Sequence, residues 1–159
     1  MNPQQNNTQE SFFNTIIVGG FLNIIIGAIA LTIDTLFNIP QLPINKSVSF
    51  FIFIALIVLY ALILIWAAFS ISKAKKENKL AKTGLYGIIR HPMYVGIVLL
   101  VNPALAILFR SWSLLEACLI LYFLWKHLVK NEEKKLIEIF GDEYKDYCEK
   151  TSCLFPKIC

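Results

Sequence analysis

The segment from Arg90 to Gly96 combines a cation, a histidine and a proline where a lysine-rich stretch meets a long apolar run. Because a proline N–H would have no partner in the first turn of a helix, Pro92 predicts that a helix begins here. Arg90 and His91 then lie beside its unpaired amides and positive dipole end, a place that favours a carboxylate or phosphate. Gly96, one turn later, leaves room for a ligand or a second backbone. The alternative interpretation is that Arg90 only extends to a membrane interface and Pro92 only starts a helix.

Two adjacent glutamates, Glu132 and Glu133, lie just beyond another apolar run. Adjacent side chains on a helix point about 100° apart, so we expect at most one of them to face the protein while the other meets solvent. Their partners four residues further on are Leu136 and Ile137, which cannot form ion pairs with them. A salt-bridged helix surface therefore explains the pair poorly. His127 lies near the same predicted membrane surface.

The elements that must position these residues are membrane helices. Hydrophobic residues make up 57% of the 159-residue chain, and the mean hydropathy is +0.61. Both values exceed those of an ordinary soluble domain. Apolar runs at 12–36, 48–71, 93–109 and 112–129 each reach the roughly 17 residues needed to cross about 30 Å of hydrocarbon. The sequence therefore predicts an all-α integral membrane protein, a bundle of four transmembrane helices.

The basic residues indicate the orientation of this bundle. Of the 15 lysines and arginines, six lie between the second and third runs and seven lie from Lys126 onward, whereas the other two loops hold only Lys46 and Arg110. The positive-inside rule then predicts that both termini are cytosolic, at the plasma or inner membrane if the protein is prokaryotic. The first run is too long for a signal peptide, and no Lys or Arg precedes it, so it is interpreted as a retained helix. The net charge of +4 indicates topology and contact with anionic lipids, and nothing indicates nucleic acid.

The remaining segments are interpreted from composition and periodicity. Residues 1–10 are rich in Asn and Gln and are predicted to be disordered, leaving 11–159 as a single domain with a cytosolic tail at 130–159. In that tail, Leu136, Ile137 and Phe140 share a helical face that Gly141 should end. Tyr144 and Tyr147 form an aromatic stripe on a second short helix, either as packing or as a wall for a purine ring. The four cysteines match no paired ligand spacing and have no histidine among them, so no metal site is predicted.

Taken together, these motifs resemble the isoprenylcysteine carboxyl methyltransferase family and its phospholipid methyltransferase relatives. The resemblance spans roughly residues 78–156 and rests on Leu80, Gly84, Tyr86, Arg90-His91-Pro92, Tyr94, Gly96, Glu132-Glu133, Leu136, Phe140-Gly141, Glu143-Tyr144 and Tyr147. It implies a membrane-embedded methyltransferase that takes S-adenosylmethionine from the cytosol and a lipophilic acceptor from the bilayer. The chain contains no Gly-rich dinucleotide fingerprint, which agrees with a cofactor pocket of another kind.

Carried over by position, the resemblance implies a cofactor pocket at Asn78, Lys79, Leu80, Ala81, Tyr86, His91, Pro92, Met93, Tyr94 and Glu132. The helix start at His91 would suit the cofactor carboxylate, Glu132 its ammonium, and Tyr86 or the tail tyrosines its adenine. Arg90 would either hold the carboxylate or brace Glu133. If the acceptor is an amine, it must lose a proton, and His127 or Glu133 is then the candidate base. We therefore regard Arg90, Glu133 and His127 as candidate catalytic residues.

Two positions depart from the family pattern. Leu128 stands where members that methylate a prenylcysteine carboxylate carry an arginine, and Thr151-Ser152-Cys153 replaces a Val-Pro-Arg-like stretch. The methyltransferase interpretation does not depend on either position, whereas the choice of acceptor does. The alternatives are a lipid-amine N-methyltransferase and a non-catalytic membrane scaffold of the same fold.

Overall fold

Long helices account for almost all of the described chain. The computed structural model describes residues 3–76 and 80–154. Its elements are α1 (Pro3–Leu36), α2 (Lys46–Lys76), a 3-10 turn (Gly84–Gly87), α3 (Pro92–Gly96), a π-helical turn (Ile97–Val101), α4 (Asn102–Phe109), α5 (Trp112–Phe140) and α6 (Asp142–Lys150). Within these described residues, four segments are long and apolar enough to cross a membrane: Phe12–Leu36, Lys46–Ala74, Pro92–Phe109 and Trp112–Phe140. This confirms the predicted all-α membrane bundle with four spans.

Two helices extend beyond the limits expected from composition. The first begins at Pro3, so residues 3–10 are helical where disorder was predicted. Extending a helix already formed by an apolar span costs little, because the unfavourable nucleation step has been made. The fourth span does not stop at residue 129 but continues to Phe140, where the predicted stop at Gly141 is confirmed with φ at 58°. The amphipathic segment is therefore one rigid extension of α5, and it carries both glutamates clear of the apolar run.

The third span combines α3, the π-helical turn and α4. Pro92 opens it and His91 is the N-cap residue, as predicted. A second proline, Pro103, follows the π-helical turn, which is consistent with a local change of helix pitch where a backbone N–H is missing.

Small and polar residues hold the spans together. A Cβ built at Gly96 would lie 2.5 Å from Cδ2 of the Tyr60 ring, so the room predicted at Gly96 is filled by a side chain of α2. Asn23 of α1 donates to Oδ1 of Asn102 at 3.0 Å. The indole N–H of Trp125 donates to Oδ1 of Asn23 at 3.3 Å. This polar link ties α1, α4 and α5 together inside the bundle, where interhelical hydrogen bonds favour one arrangement of the helices.

The tail after α5 folds back onto the predicted cytosolic end of the bundle. Tyr144 and Tyr147 of α6 form a buried cluster with Leu136 of α5, and Leu80 packs against it. Beyond α6, Leu154 joins a second cluster built around Tyr94 and Trp125. The segment before the third span and the tail after α6 are thereby both brought beside the two glutamates.

Candidate active site

Arg90 and Glu133 form a largely buried ion pair at the N-terminal end of the third span. The Arg90 Nε–H donates to Oε1 of Glu133 at 2.6 Å, and Nε2 of His91 lies 3.2 Å from the same oxygen. Arg90 and His91 are placed here because they immediately precede the helix that Pro92 opens. Of the two roles predicted for Arg90, the structure shows the brace on Glu133.

Arg90 also fastens the tail to the loop before α3. Its Nη1 donates to the carbonyl oxygen of Cys148 at 3.0 Å and to that of Thr151. The backbone N–H of Arg90 donates to the carbonyl oxygen of Ser152 at 2.8 Å, next to an isolated parallel bridge between Ile89 and Ser152. Burial alone would lower the pKa of Arg90, but hydrogen bonding and the charge of Glu133 outweigh burial and raise it. The guanidinium therefore stays charged and joins three segments.

Glu132 faces the protein as well, which corrects the expectation that at most one glutamate could do so. Glu132 is only 7% exposed, and the Tyr94 hydroxyl donates to its Oε2 at 2.8 Å. The Glu133 side chain is 16% exposed. Both glutamates can be shielded from solvent because α5 is packed on two sides at this level. On the Glu132 side it packs against α3. On the Glu133 side it packs against the loop and the tail that Arg90 joins.

Stacked rings fix the orientation of Tyr94. The His91 ring lies nearly parallel to the Tyr94 ring, with a centroid distance of 5.5 Å and an interplanar angle of 13°. Trp125 stacks against Tyr94 at 5.1 Å, and Phe12 of α1 stacks against it at 6.0 Å. Rings at these separations attract one another beyond the effect of burial alone. The Tyr94 hydroxyl is therefore held toward Glu132 by packing on several sides.

Three further tyrosines, Tyr86, Tyr144 and Tyr147, lie where the tail packs against the loop before α3. The Tyr147 hydroxyl donates to the backbone carbonyl of Tyr86 at 2.5 Å, and the Tyr144 ring meets the Tyr147 ring edge to face. Burial, with smaller contributions from the charges of Tyr147 and Glu132, raises the pKa of the half-buried Tyr86. Tyr86 is partly buried, whereas Tyr144 and Tyr147 are buried in the packing of the tail. Tyr86 is therefore the most accessible of the three predicted purine walls.

The other predicted residues are placed as follows. Pro92 is buried, Leu80, Ala81 and Met93 are partly buried, and Asn78 and Lys79 lie outside the described residues. His127 is exposed on α5, and the structure does not bring it to Glu133, six residues away on the same helix. Leu128 is partly buried one turn before Glu132. The structure therefore unites Arg90, Glu133, His91, Tyr94 and Glu132 but leaves His127 apart.

Cys153 belongs to this cluster although sequence reasoning did not select it. Its sulfur, Nε2 of His91 and a Glu133 carboxylate oxygen all lie within 4.8 Å of one another. Burial and the charge of Glu133 raise the pKa of the Cys153 thiol to about 12, so the free thiol is protonated at neutral pH. The prediction of no metal site rested on the absence of a histidine among the cysteines in sequence, whereas in the folded chain Cys153 lies beside His91. The departure of Thr151-Ser152-Cys153 from the family pattern was the sequence signal that could have drawn attention to Cys153.

The site combines a helix start with buried acidic and aromatic groups. A carboxylate carries more acceptor sites than the single bond from Tyr94 uses, so Glu132 retains capacity for a positively charged group. Aromatic faces also attract cations. The residues present therefore fit a ligand that carries an ammonium or sulfonium charge together with a carboxylate and a planar ring.

Comparison with known proteins agrees with this chemistry. Residues 46–138 match the model of the isoprenylcysteine carboxyl methyltransferase family, which includes α2 as well as the site. The chain is 32% identical over 87 residues to a protein-S-isoprenylcysteine O-methyltransferase of Schizosaccharomyces pombe, covering 55% of this chain and 37% of that protein. It is 36% identical over 101 residues to the protein of that name from Saccharomyces cerevisiae, covering 55% and 38%.

A relative with another named acceptor is also similar. The chain is 33% identical over 76 residues to a methanethiol S-methyltransferase of Pseudomonas deceptionensis, covering 46% of this chain and 27% of that protein. The matched segment thus spans well under half the length of each of these three relatives. Arg90, Pro92 and the glutamate pair all lie inside the segment that matches the family model.

Proposed function

Because the chain belongs to the isoprenylcysteine carboxyl methyltransferase family, we propose that it transfers a methyl group from S-adenosylmethionine to a lipophilic acceptor. The observation that carries the proposal is the buried Glu132, held by Tyr94 beside the helix start at His91 and Pro92. A carboxylate and a helix N-terminus suit the ammonium and carboxylate of the cofactor's methionyl end.

The proposed cofactor pocket has three parts. Glu132 binds the ammonium, the helix start at His91 and Pro92 receives the carboxylate, and Tyr86 covers the adenine. Leu80, Ala81, Met93 and Tyr94 line the pocket between these parts, and Asn78 and Lys79 belong to it by resemblance alone. Arg90 does not contact the cofactor in this scheme, because its guanidinium is engaged by Glu133 and the tail. Arg90 is therefore a positioning residue.

When bound, the cofactor supplies an electrophilic methyl group on a sulfonium. The acceptor nucleophile forms the new bond to the methyl carbon as the carbon–sulfur bond breaks, and S-adenosylhomocysteine leaves. The protein aligns the reactants and excludes water, and ideal alignment alone can contribute about 7 to 11 kcal/mol. A carboxylate or thiolate acceptor needs no base from the protein.

The structure supports these acceptors better than an amine. The names of the relatives specify a prenylcysteine carboxyl group and a thiol. An amine would require a base, but Glu133 is held by Arg90 and His127 is exposed outside the cluster. We therefore favour O- or S-methylation over lipid-amine N-methylation.

Calorimetry tests the proposed cofactor binding by measuring the affinity of the purified protein in detergent for S-adenosylhomocysteine. Incubation with methyl-labelled cofactor and extracted membrane lipids, followed by separation of the products, then identifies the acceptor class. Glu138→Gln, an exposed glutamate on the same helix, is the matched control for Glu132→Gln. A folded protein without measurable cofactor affinity would instead indicate a non-catalytic scaffold.

A further inference from the structure

Three side chains from distant parts of the chain meet with their metal-ligating atoms together. His91 precedes α3, Glu133 lies on α5 and Cys153 lies in the tail, and the three ligand atoms are all within 4.8 Å of one another. His91 is buried and the other two are partly buried. An imidazole nitrogen, a carboxylate oxygen and a cysteine sulfur are the three donor types that Zn²⁺ uses in proteins.

The spacing of these atoms fits a tetrahedral ion. Zinc bonds of about 2.1 Å to nitrogen and oxygen place two ligand atoms about 3.4 Å apart at the tetrahedral angle. Nε2 of His91 and Oε1 of Glu133 are 3.2 Å apart. With a zinc–sulfur bond of about 2.3 Å, the sulfur should lie about 3.6 Å from the other two ligand atoms, and the ligand atom of Cys153 lies within 4.8 Å of both.

The surroundings also suit a metal. The Arg90 guanidinium donates to the Glu133 oxygen that faces His91, and carboxylates that bind metals are commonly oriented by such outer hydrogen bonds. The Glu133 carboxylate and a Cys153 thiolate together balance the two charges of the ion, and the neighbouring Arg90 guanidinium adds one positive charge to the group. The ion would displace the thiol proton of Cys153, which is the usual course of cysteine coordination.

We propose that His91, Glu133 and Cys153 form a binding site for a thiophilic divalent cation, with Zn²⁺ the best match and the fourth position open to water. The site goes beyond the proposed methyl transfer, which requires no metal. It depends on Cys153, at a position where this chain departs from the family pattern.

The test is metal binding by the full-length protein in detergent. Zn²⁺ is titrated by calorimetry, and Co²⁺ is used as a spectroscopic substitute whose absorption reports tetrahedral geometry and sulfur ligation. We expect a single ion per chain and a sulfur-to-cobalt charge-transfer band. Cys153→Ser should weaken Zn²⁺ binding by at least about a hundredfold, since even loss of an outer-shell partner costs 10- to 100-fold.

Cys118→Ser, a cysteine within the fourth span, is the matched control and should leave binding unchanged. Wild-type affinity in Cys153→Ser, an equal loss in Cys118→Ser or Cys148→Ser, or no stoichiometric binding to the wild type would each overturn the proposal. Circular dichroism and gel filtration confirm that each variant is folded. The metal site shares His91 with the proposed cofactor pocket, so S-adenosylhomocysteine affinity is measured in metal-free buffer. Cys153 is not assigned to that pocket, so Cys153→Ser should then keep the wild type's affinity, and failure of the metal site and failure of the proposed function are distinguishable.

Discussion

The Tyr94 hydroxyl donates a 2.8 Å hydrogen bond to Oε2 of Glu132, joining the start of the third span to the far end of the fourth. The Tyr94 ring stacks against both His91 and Trp125, and this packing holds its hydroxyl in the direction of Glu132. A carboxylate buried beside apolar helices would be costly without such a donor. The Tyr94 hydroxyl therefore permits Glu132 to be buried and orients its carboxylate.

Replacing Glu132 by Gln should abolish most cofactor binding without unfolding the protein. The change removes a charge-assisted contact worth about 1.5 to 3 kcal/mol, or roughly ten- to a hundredfold in affinity. Calorimetry with S-adenosylhomocysteine measures the effect, and Glu138→Gln should bind as the wild type does. Unchanged affinity in Glu132→Gln would remove this residue from the pocket.

Tyr94→Phe should weaken cofactor binding through Glu132 alone. The ring stack is kept and only the hydroxyl is lost, at a cost of about 1.5 to 3 kcal/mol for a hydrogen bond to a charged group. A double-mutant cycle with Glu132→Gln separates this effect from general damage. In the Glu132→Gln background, the additional effect of Tyr94→Phe should largely disappear. Full additivity of the two changes would show that Tyr94 acts independently of Glu132.

Arg90→Gln should release the tail from the bundle. The variant loses the bond to Glu133 and those to the carbonyls of Cys148 and Thr151, and removing one partner of a buried pair costs about 3 to 5 kcal/mol. Arg90→Lys should rescue little, because an ammonium cannot reproduce the planar guanidinium fork.

Hydrogen exchange over residues 142–154 reads out this release and should rise strongly in both Arg90 variants. Arg110→Gln is the matched control, since Arg110 bonds to Gln41 and to the Ile44 carbonyl in another loop. If exchange in the tail stays at the wild-type rate in Arg90→Gln, the tail is held by its apolar contacts instead.

Both termini should face the cytosol, because 13 of the 15 basic residues lie on that side of the four spans. A variant with all four native cysteines replaced by serine allows single cysteines to be tested with a membrane-impermeant maleimide on intact cells. Lys46→Cys, at the first residue of α2, should be labelled from outside. Lys150→Cys should react only after lysis, and its labelling in intact cells would reverse the orientation.

The wild type should be poor at methylating a farnesylcysteine analogue, because Leu128 stands where carboxylate-methylating members are expected to carry arginine. Leu128→Arg should increase methyl-ester formation at saturating cofactor, since a guanidinium pairs bidentately with a carboxylate. The gain is limited if Lys130 or His127 already supplies positive charge. Efficient turnover by the wild type that falls in Leu128→Arg would show that the acceptor carboxylate is recognised in another way.

The sequence alone determined the four spans, the helix start at Pro92, the helix end at Gly141 and the family to which the chain belongs. These features are local, because span length, proline chemistry and glycine at positive φ depend on neighbouring residues only. The extent of the fourth helix was less predictable, since an amphipathic pattern does not show whether it continues an existing helix or begins another.

Only the tertiary structure decided which residues share the site. The rotation of α5 against α3 and the return of the tail turned both Glu132 and Glu133 inward, joined Arg90 to Glu133 and left His127 exposed. It also placed Cys153 beside His91, across a long separation in sequence. Such relations depend on how packed surfaces fit together, and helical periodicity specifies the faces of a helix but not which neighbours cover them.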